Sequence, residues 1–175
     1  MRRRNVDFLC AVVIVGLLAG LAGLSTTLLL RFLQHLTYHY TFGSLLEAVT
    51  GSSPVRRALG PMAGGALAGL GWWVLRSRTD VPSLSAAISN RERIHLLPFG
   101  VDAALQVLVV GSGASLGREV APRQLAAALG DFAMGWLKRL SARDRKILLA
   151  CAAGAGLGAV YAVPLAGALF AVRIM

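Results

Sequence analysis

Long apolar runs separated by short polar islands dominate the hydrophobic pattern of this chain. The first run, "LCAVVIVGLLAGLAGLSTTLLL" at 9–30, and the second, "ALGPMAGGALAGLGWWVL" at 58–75, are each about as long as a membrane-spanning helix. The pattern therefore predicts two spanning helices. We expect the mixed segment 31–57 between them to form a loop and an interfacial helix. Trp72 and Trp73 are expected to mark the interfacial end of the second span.

The remaining apolar runs are interrupted. "LLPFGVDAALQVLVVGSGASLG" at 96–117 leads into the glycine-rich stretch "GSGASLGREVAP" at 111–122, and the last run, 147–175, is broken at Pro164. Breaks of this kind persist in membrane helices only where protein shields them or where they line a wet cavity. The sequence therefore predicts one all-α domain over residues 1–175, a multi-span membrane protein with broken, re-entrant helices.

Composition supports a membrane protein. Hydrophobic residues make up 56% of the chain and charged residues 15%, and the net charge of +10 comes from basic islands such as "RRR" at 2–4. Such islands flank membrane spans and contact lipid headgroups, so membrane lipids are expected partners. The first island places the N-terminus in the cytoplasm. No stretch interleaves aromatic residues with base-facing arginines, so we expect no nucleic-acid partner.

The residues that most often bind metals are sparse. Cys10 and Cys151 lie inside apolar runs, which predicts two small buried hydrophobes. His35 and His39 are four residues apart, but no further ligand follows at a suitable spacing, so an amphipathic interfacial stretch is the favoured interpretation. We expect no metal and no cofactor.

The glycine-rich stretch at 111–122 allows two interpretations. As a phosphate loop, Gly111, Gly113 and Gly117 give G-x-G-x-x-x-G, which departs from the dinucleotide fingerprint, so a nucleotide-binding enzyme is disfavoured. As a helix start, the stretch places Pro122 in the first turn, where a missing N–H costs nothing. A helix N-terminus attracts anions through its free N–H groups and partial positive charge. Glu119 would block that site when charged and open it when protonated or displaced.

"GREVAP" at 117–122, followed by "GAGLGAVYAVPLAGALF" at 154–170, resembles the CLC family of chloride channels and chloride/proton antiporters. The resemblance implies that chloride is the partner ion, that Glu119 is the gating glutamate, and that Thr79 in "RTDVPSLSAAI" corresponds to the serine that holds the central anion. It also implies that the outer anion path is lined by the backbone of Gly117, Arg118, Val120 and Ala121.

Two departures from the family pattern bear on mechanism. Asp80 replaces a glycine beside the expected anion ligand Thr79, and we expect it to pair with Arg76 or Arg78. Ile174, preceded by Arg173, stands where family antiporters carry an inner glutamate. Neither side chain can exchange a proton near neutral pH, so transport without strict proton coupling is expected.

The family fold consists of two inverted halves, and the chain resembles the first. We therefore expect it to be either a fragment of a longer gene or a separately encoded half, which needs a second half, as a homodimer or with a partner half-subunit, in the plasma membrane. The alternative is a non-transporting membrane remnant or assembly subunit. In either case the chain is not expected to be an enzyme.

Overall fold

The computed structural model describes residues 2–39, 45–90, 93–137 and 140–175, which form helices and no strands. In these residues the helices are α1 (Arg2–Tyr38), α2 (Leu45–Gly51), α3 (Pro54–Arg78), α4 (Leu84–Asn90), α5 (Leu96–Gly111), α6 (Val120–Met134), α7 (Ala142–Tyr161) and α8 (Pro164–Ile174). The all-α prediction is confirmed.

Two of the described helices are long and apolar enough to cross a membrane: Val6–Tyr38 and Pro54–Arg78. The shorter apolar helices are Leu96–Gly111 and Pro164–Ile174. Helix α1 runs along α5, α6 and α7, while α3 packs on α5, and α8 on α7. The break predicted at Pro164 is confirmed, because α7 ends at Tyr161, its C-cap residue Ala162 adopts the left-handed conformation (φ 54°), and Pro164 starts α8.

Small residues let the central helices approach closely. A Cβ built on Gly23 of α1 would lie 2.7 Å from the Ala159 Cβ of α7, and one on Gly156 would lie 2.7 Å from the Ala126 Cβ of α6. Contacts this short leave no room for a larger residue. Association of helices in lipid depends on such close packing, because lipid tails are as apolar as the side chains they would replace.

The structure corrects two expectations. Residues 31–38 were expected to leave the helix, but α1 continues to Tyr38, because Gln34 and Tyr38 are buried inside the bundle. Cys10 and Cys151 were expected to be buried, but both are exposed on the outer surface of the helices. Trp73 is exposed, and the Trp72 indole donates a hydrogen bond to Asp102 within the fold.

Candidate functional site

The candidate site is the interruption between α5 and α6, which we call the α5–α6 break (residues 112–119). Helix α5 ends at Gly111, and the backbone then passes through positive φ at Gly113 (105°) and Gly117 (83°) before α6 begins at Val120. Because side chains strain the backbone in this region, glycine permits the turn at both positions. The dinucleotide fingerprint requires a strand before its glycines, and the segment before Gly111 is instead the helix α5, which argues against a nucleotide-binding loop.

The first residues of the break are anchored to two other helices. The Tyr38 hydroxyl of α1 donates to the carbonyl oxygen of Ser112 at 2.8 Å, and the Ser112 hydroxyl donates to the Val109 carbonyl at 2.8 Å. A Cβ on Gly60 of α3 would lie 3.1 Å from the Ser112 oxygen, and one on Gly113 would lie 3.0 Å from the Tyr38 Cζ. The end of α5 is therefore held in place where α1 and α3 meet.

Glu119 occupies the N-cap position of α6 (φ −83°, ψ −24°), yet its side chain makes no capping hydrogen bond. The carboxylate instead folds back onto Gly117: a Cβ built there would lie 2.7 and 2.8 Å from its two oxygens. The side chain is half-buried. Glu119 is therefore held at the start of α6 without the hydrogen bond that a structural helix cap would make.

Arg118 and Arg123, on either side of Glu119 in the sequence, contact aromatic rings of α7 and α8. The Arg118 guanidinium lies 4.8 Å from the centre of the Tyr161 ring, and that of Arg123 lies 4.9 Å from the Phe170 ring. Arg123 Nε also donates to the Glu119 carbonyl oxygen at 2.8 Å. Tyr161 ends α7 and Phe170 belongs to α8, so the α5–α6 and α7–α8 breaks lie together.

A small cavity opens between α1 and the start of α6, with room for about one water molecule. Three of the expected path residues line it: Gly117, Arg118 and Ala121. Its other walls come from Thr26, Thr27, Leu30, Gln106, Val107, Val110 and Val160. Val120 is half-buried and does not line it, while Ala121 also packs into a core cluster with Leu30 and Val107.

Thr79 lies elsewhere. It is the C-cap residue of α3, its hydroxyl donates back to the Leu75 carbonyl at 2.9 Å, and it lines a different pocket with Pro98 in the first turn of α5. Glu119 follows the opposite end of that helix, so the described structure does not bring the two residues into one cavity. The structure shows no ion pair between the exposed Asp80 and Arg76 or Arg78, while Asp80 shares the Thr79 pocket with Arg93.

Reasoning from the sequence missed a polar cluster between α3, α5 and α6. The carboxylate of Asp102 accepts from Trp72 Nε1 at 2.8 Å and from Gln106 Nε2 at 2.7 Å, and Gln106 Nε2 also donates to Gln124 Oε1 at 2.8 Å. The signal was present, since Asp102 and Gln106 are the polar residues of an apolar run and lie four apart on one helix face. Within the described ranges, no group of three or more His, Cys, Asp or Glu is placed to hold a metal ion.

Residues 64–175 match the family model described as voltage gated chloride channel. The chain belongs to the voltage-gated chloride channel family. It is 36% identical over 168 residues to proteins named voltage-gated ClC-type chloride channel ClcB from Escherichia coli O81 (strain ED1a) and O6:H1 (strain CFT073). The protein of that name from Shigella boydii serotype 18 is 35% identical over the same length.

Each alignment covers 93% of this chain, and the chain spans about 40% of the length of these relatives. The family membership confirms the resemblance seen in the two motifs and identifies an integral membrane protein of a family of channels and transporters.

Proposed function

We propose that this chain forms part of a chloride pathway in which Glu119 is the gate. The observation that carries the proposal is the position of the Glu119 carboxylate, folded onto Gly117 at the first turn of α6 without a capping hydrogen bond. Family membership supports chloride as the ion, since the relatives are named chloride channels. The chain spans about 40% of the length of those relatives, so in this proposal the pathway also includes residues of a second half, supplied by the rest of a longer protein, by a second copy or by a partner half-subunit.

The physical reason for gating is competition for one electropositive end of a helix. The first N–H groups of α6 have no partners within the helix, and the helix dipole places roughly half a positive charge there. A chloride ion and a carboxylate favour the same position. Ionised Glu119 excludes the anion, whereas protonation or displacement of the side chain frees the site. In this proposal the backbone of Gly117, Arg118, Val120 and Ala121 lines the outer path.

Transport in this proposal does not require stoichiometric proton movement. Arg173 is exposed near the end of α8, and the neighbouring Ile174 packs against the apolar core cluster, so neither supplies an inner proton carrier. Thr79 serves as an anion ligand only if a second half brings the path to its pocket. We place the protein in the plasma membrane with its N-terminus in the cytoplasm, because the basic residues 2–4 precede the first span.

Glu119→Gln tests the gate directly, because it removes the charge and keeps the size of the side chain. In liposomes containing a protein with both halves of the pathway, we expect chloride flux to lose most of its pH dependence. Glu47→Gln is the matched control, since Glu47 is an exposed acid on α2. Flux and pH response equal to wild type in Glu119→Gln would refute the gate, and uphill proton movement driven by a chloride gradient would refute uncoupled transport.

A further inference from the structure

The polar cluster of Trp72, Asp102, Gln106 and Gln124 forms a second ionisable site inside the helix bundle. Asp102 is 7% exposed and Gln124 is 7% exposed, although both lie on helices packed in an apolar core. Ionisable residues within membrane segments are costly, so they ordinarily have a functional role. Both hydrogen bonds that the structure shows for Asp102 come from uncharged donors, the Trp72 indole and the Gln106 amide.

The hydrogen bonds that the structure shows for Asp102 come from no charged group, and the nearest charged group on the cavity that Gln106 lines is Arg118, which is one of its walls. Helices α1, α3 and α6 pack against α5. On these helices, the charged residues nearest in sequence to the contact residues are Arg31 of α1, Arg76 and Arg78 of α3, and Glu119 and Arg123 at the start of α6. None of them forms a hydrogen bond with Asp102. An added proton, rather than an arginine, is therefore the group that can neutralise the carboxylate in place.

We propose that Asp102 is a proton-binding site within the membrane, and that its protonation reverses the amide of Gln106 at the cavity shared with Gly117 and Arg118. With Asp102 ionised, Gln106 Nε2 donates one hydrogen to Asp102 Oδ2 and the other to Gln124 Oε1. Both N–H groups are then used, so only the amide oxygen of Gln106 remains for other neighbours. Gln106 lines the cavity, so in this state it presents its amide oxygen, a hydrogen-bond acceptor, to the cavity.

Protonation reverses these bonds without moving the backbone. A proton from the aqueous phase binds Asp102 Oδ2, which then donates to Gln106 Oε1 once that amide turns over. The same oxygen accepts a second bond from the Gln124 amide, which turns over in turn, while the Trp72 N–H still donates to Asp102 Oδ1. The heavy-atom contacts of 2.7 and 2.8 Å serve both states, so the hydrogen bonds between Asp102 and Gln106 and between Gln106 and Gln124 have a counterpart in each.

Protonation of Asp102 changes the group that Gln106 presents to the cavity from a hydrogen-bond acceptor to a hydrogen-bond donor. A carbonyl oxygen repels an anion and accepts from water, whereas an amide N–H attracts an anion. Protonation of Asp102 therefore makes the wall beside Gly117 and Arg118 more favourable to chloride. This switch is separate from the gate at Glu119, and its test does not depend on transport.

Infrared difference spectroscopy of the chain in lipid vesicles tests the proton site. As the pH falls, we expect a carboxylic-acid C=O band that shifts when the aspartates carry 13C. The band should be lost in Asp102→Asn and retained in both Glu119→Gln and Asp80→Asn, the latter altering an exposed acid. If Asp102→Asn keeps every aspartate band of the wild type, the site is refuted. Gln106→Leu, which retains Asp102, should keep the band and move it to higher frequency, so the test survives misfolding of Asp102→Asn.

Side-chain amide NMR of 15N-glutamine protein tests the switch itself. The Gln106 signal, assigned by its loss in Gln106→Leu, should shift over the same pH range in which the aspartic-acid band appears. The shift should vanish in Asp102→Asn and persist in Glu119→Gln. A Gln106 signal that stays fixed while Asp102 takes up its proton would overturn the proposed reversal.

Discussion

Helix α6 carries an acid near each end, and the two are held in opposite ways. Asp131, in its last turns, is 5% exposed, pairs with Arg145 of α7 and accepts from the Ile94 backbone N–H at 3.0 Å. Glu119, at its start, is half-buried, makes no capping hydrogen bond and lies against a glycine. The contrast separates an acid that fixes the fold from one that is free to be displaced, and it predicts that changes at the two ends affect different measurements.

The largest effect is expected at Asp131. Asp131→Asn leaves Arg145 without its charged partner and weakens the hydrogen bond to Ile94, and breaking a buried pair in this way costs about 3 kcal/mol. Thermal unfolding in detergent micelles should show a clear decrease in Tm. Asp80→Asn, at an exposed acid, should leave Tm unchanged. Equal Tm values for Asp131→Asn and wild type would show that this end of α6 is not held by the pair.

The ion pair between Asp131 and Arg145 shows where prediction from the sequence ends. Local signals located the breaks: glycines at 113 and 117 permit positive φ, and Pro164 restarts a helix. The position of Glu119 at the start of α6 could be predicted from the same local signals. The pairing of Asp131 with Arg145 did not, because it joins two helices across a loop and no local rule fixes that geometry.

The errors have the same origin. Polar residues at 34 and 38 look like the end of a span, but the Tyr38 hydroxyl binds the Ser112 carbonyl, 74 residues away, which keeps α1 helical. Part of the polar cluster around Asp102 could be predicted, since Gln106 lies one turn from Asp102 on the same helix. Its other partners, Trp72 and Gln124, come from helices whose packing only the folded structure reveals.

A second prediction concerns Gly117, beneath the Glu119 carboxylate. Gly117→Ala places a Cβ 2.7 Å from a carboxylate oxygen, so the flexible side chain must leave that position. We expect raised chloride flux at pH values where the wild type is closed, in a protein with both halves of the pathway. The left-handed conformation at φ 83° adds a cost of about 1 kcal/mol, so Tm should decrease less than in Asp131→Asn.

The control for this change is Gly69→Ala on α3, where a Cβ meets nothing within 4 Å. Combining Gly117→Ala with Glu119→Gln separates displacement of the carboxylate from a general loosening of the break. If the carboxylate is the target, the double variant should conduct like Glu119→Gln alone, since coupled residues are not additive. Additive increases in flux would instead indicate that Gly117→Ala opens the path by another route.

The smallest effect is expected where Arg118 meets the end of α7. The guanidinium lies 4.8 Å from the centre of the Tyr161 ring, and Tyr161 is 38% exposed, so water weakens the attraction between cation and ring. Tyr161→Leu should cost less than about 1 kcal/mol in unfolding measurements, and Tyr161→Phe, which keeps the ring face, should cost less still. Because the Glu119 end of α6 is held by weak contacts of this kind, losing one should change gating more than stability. A loss of stability in Tyr161→Leu as large as in Asp131→Asn would show that both ends of α6 are clamped equally, and the contrast between the two acids would fail.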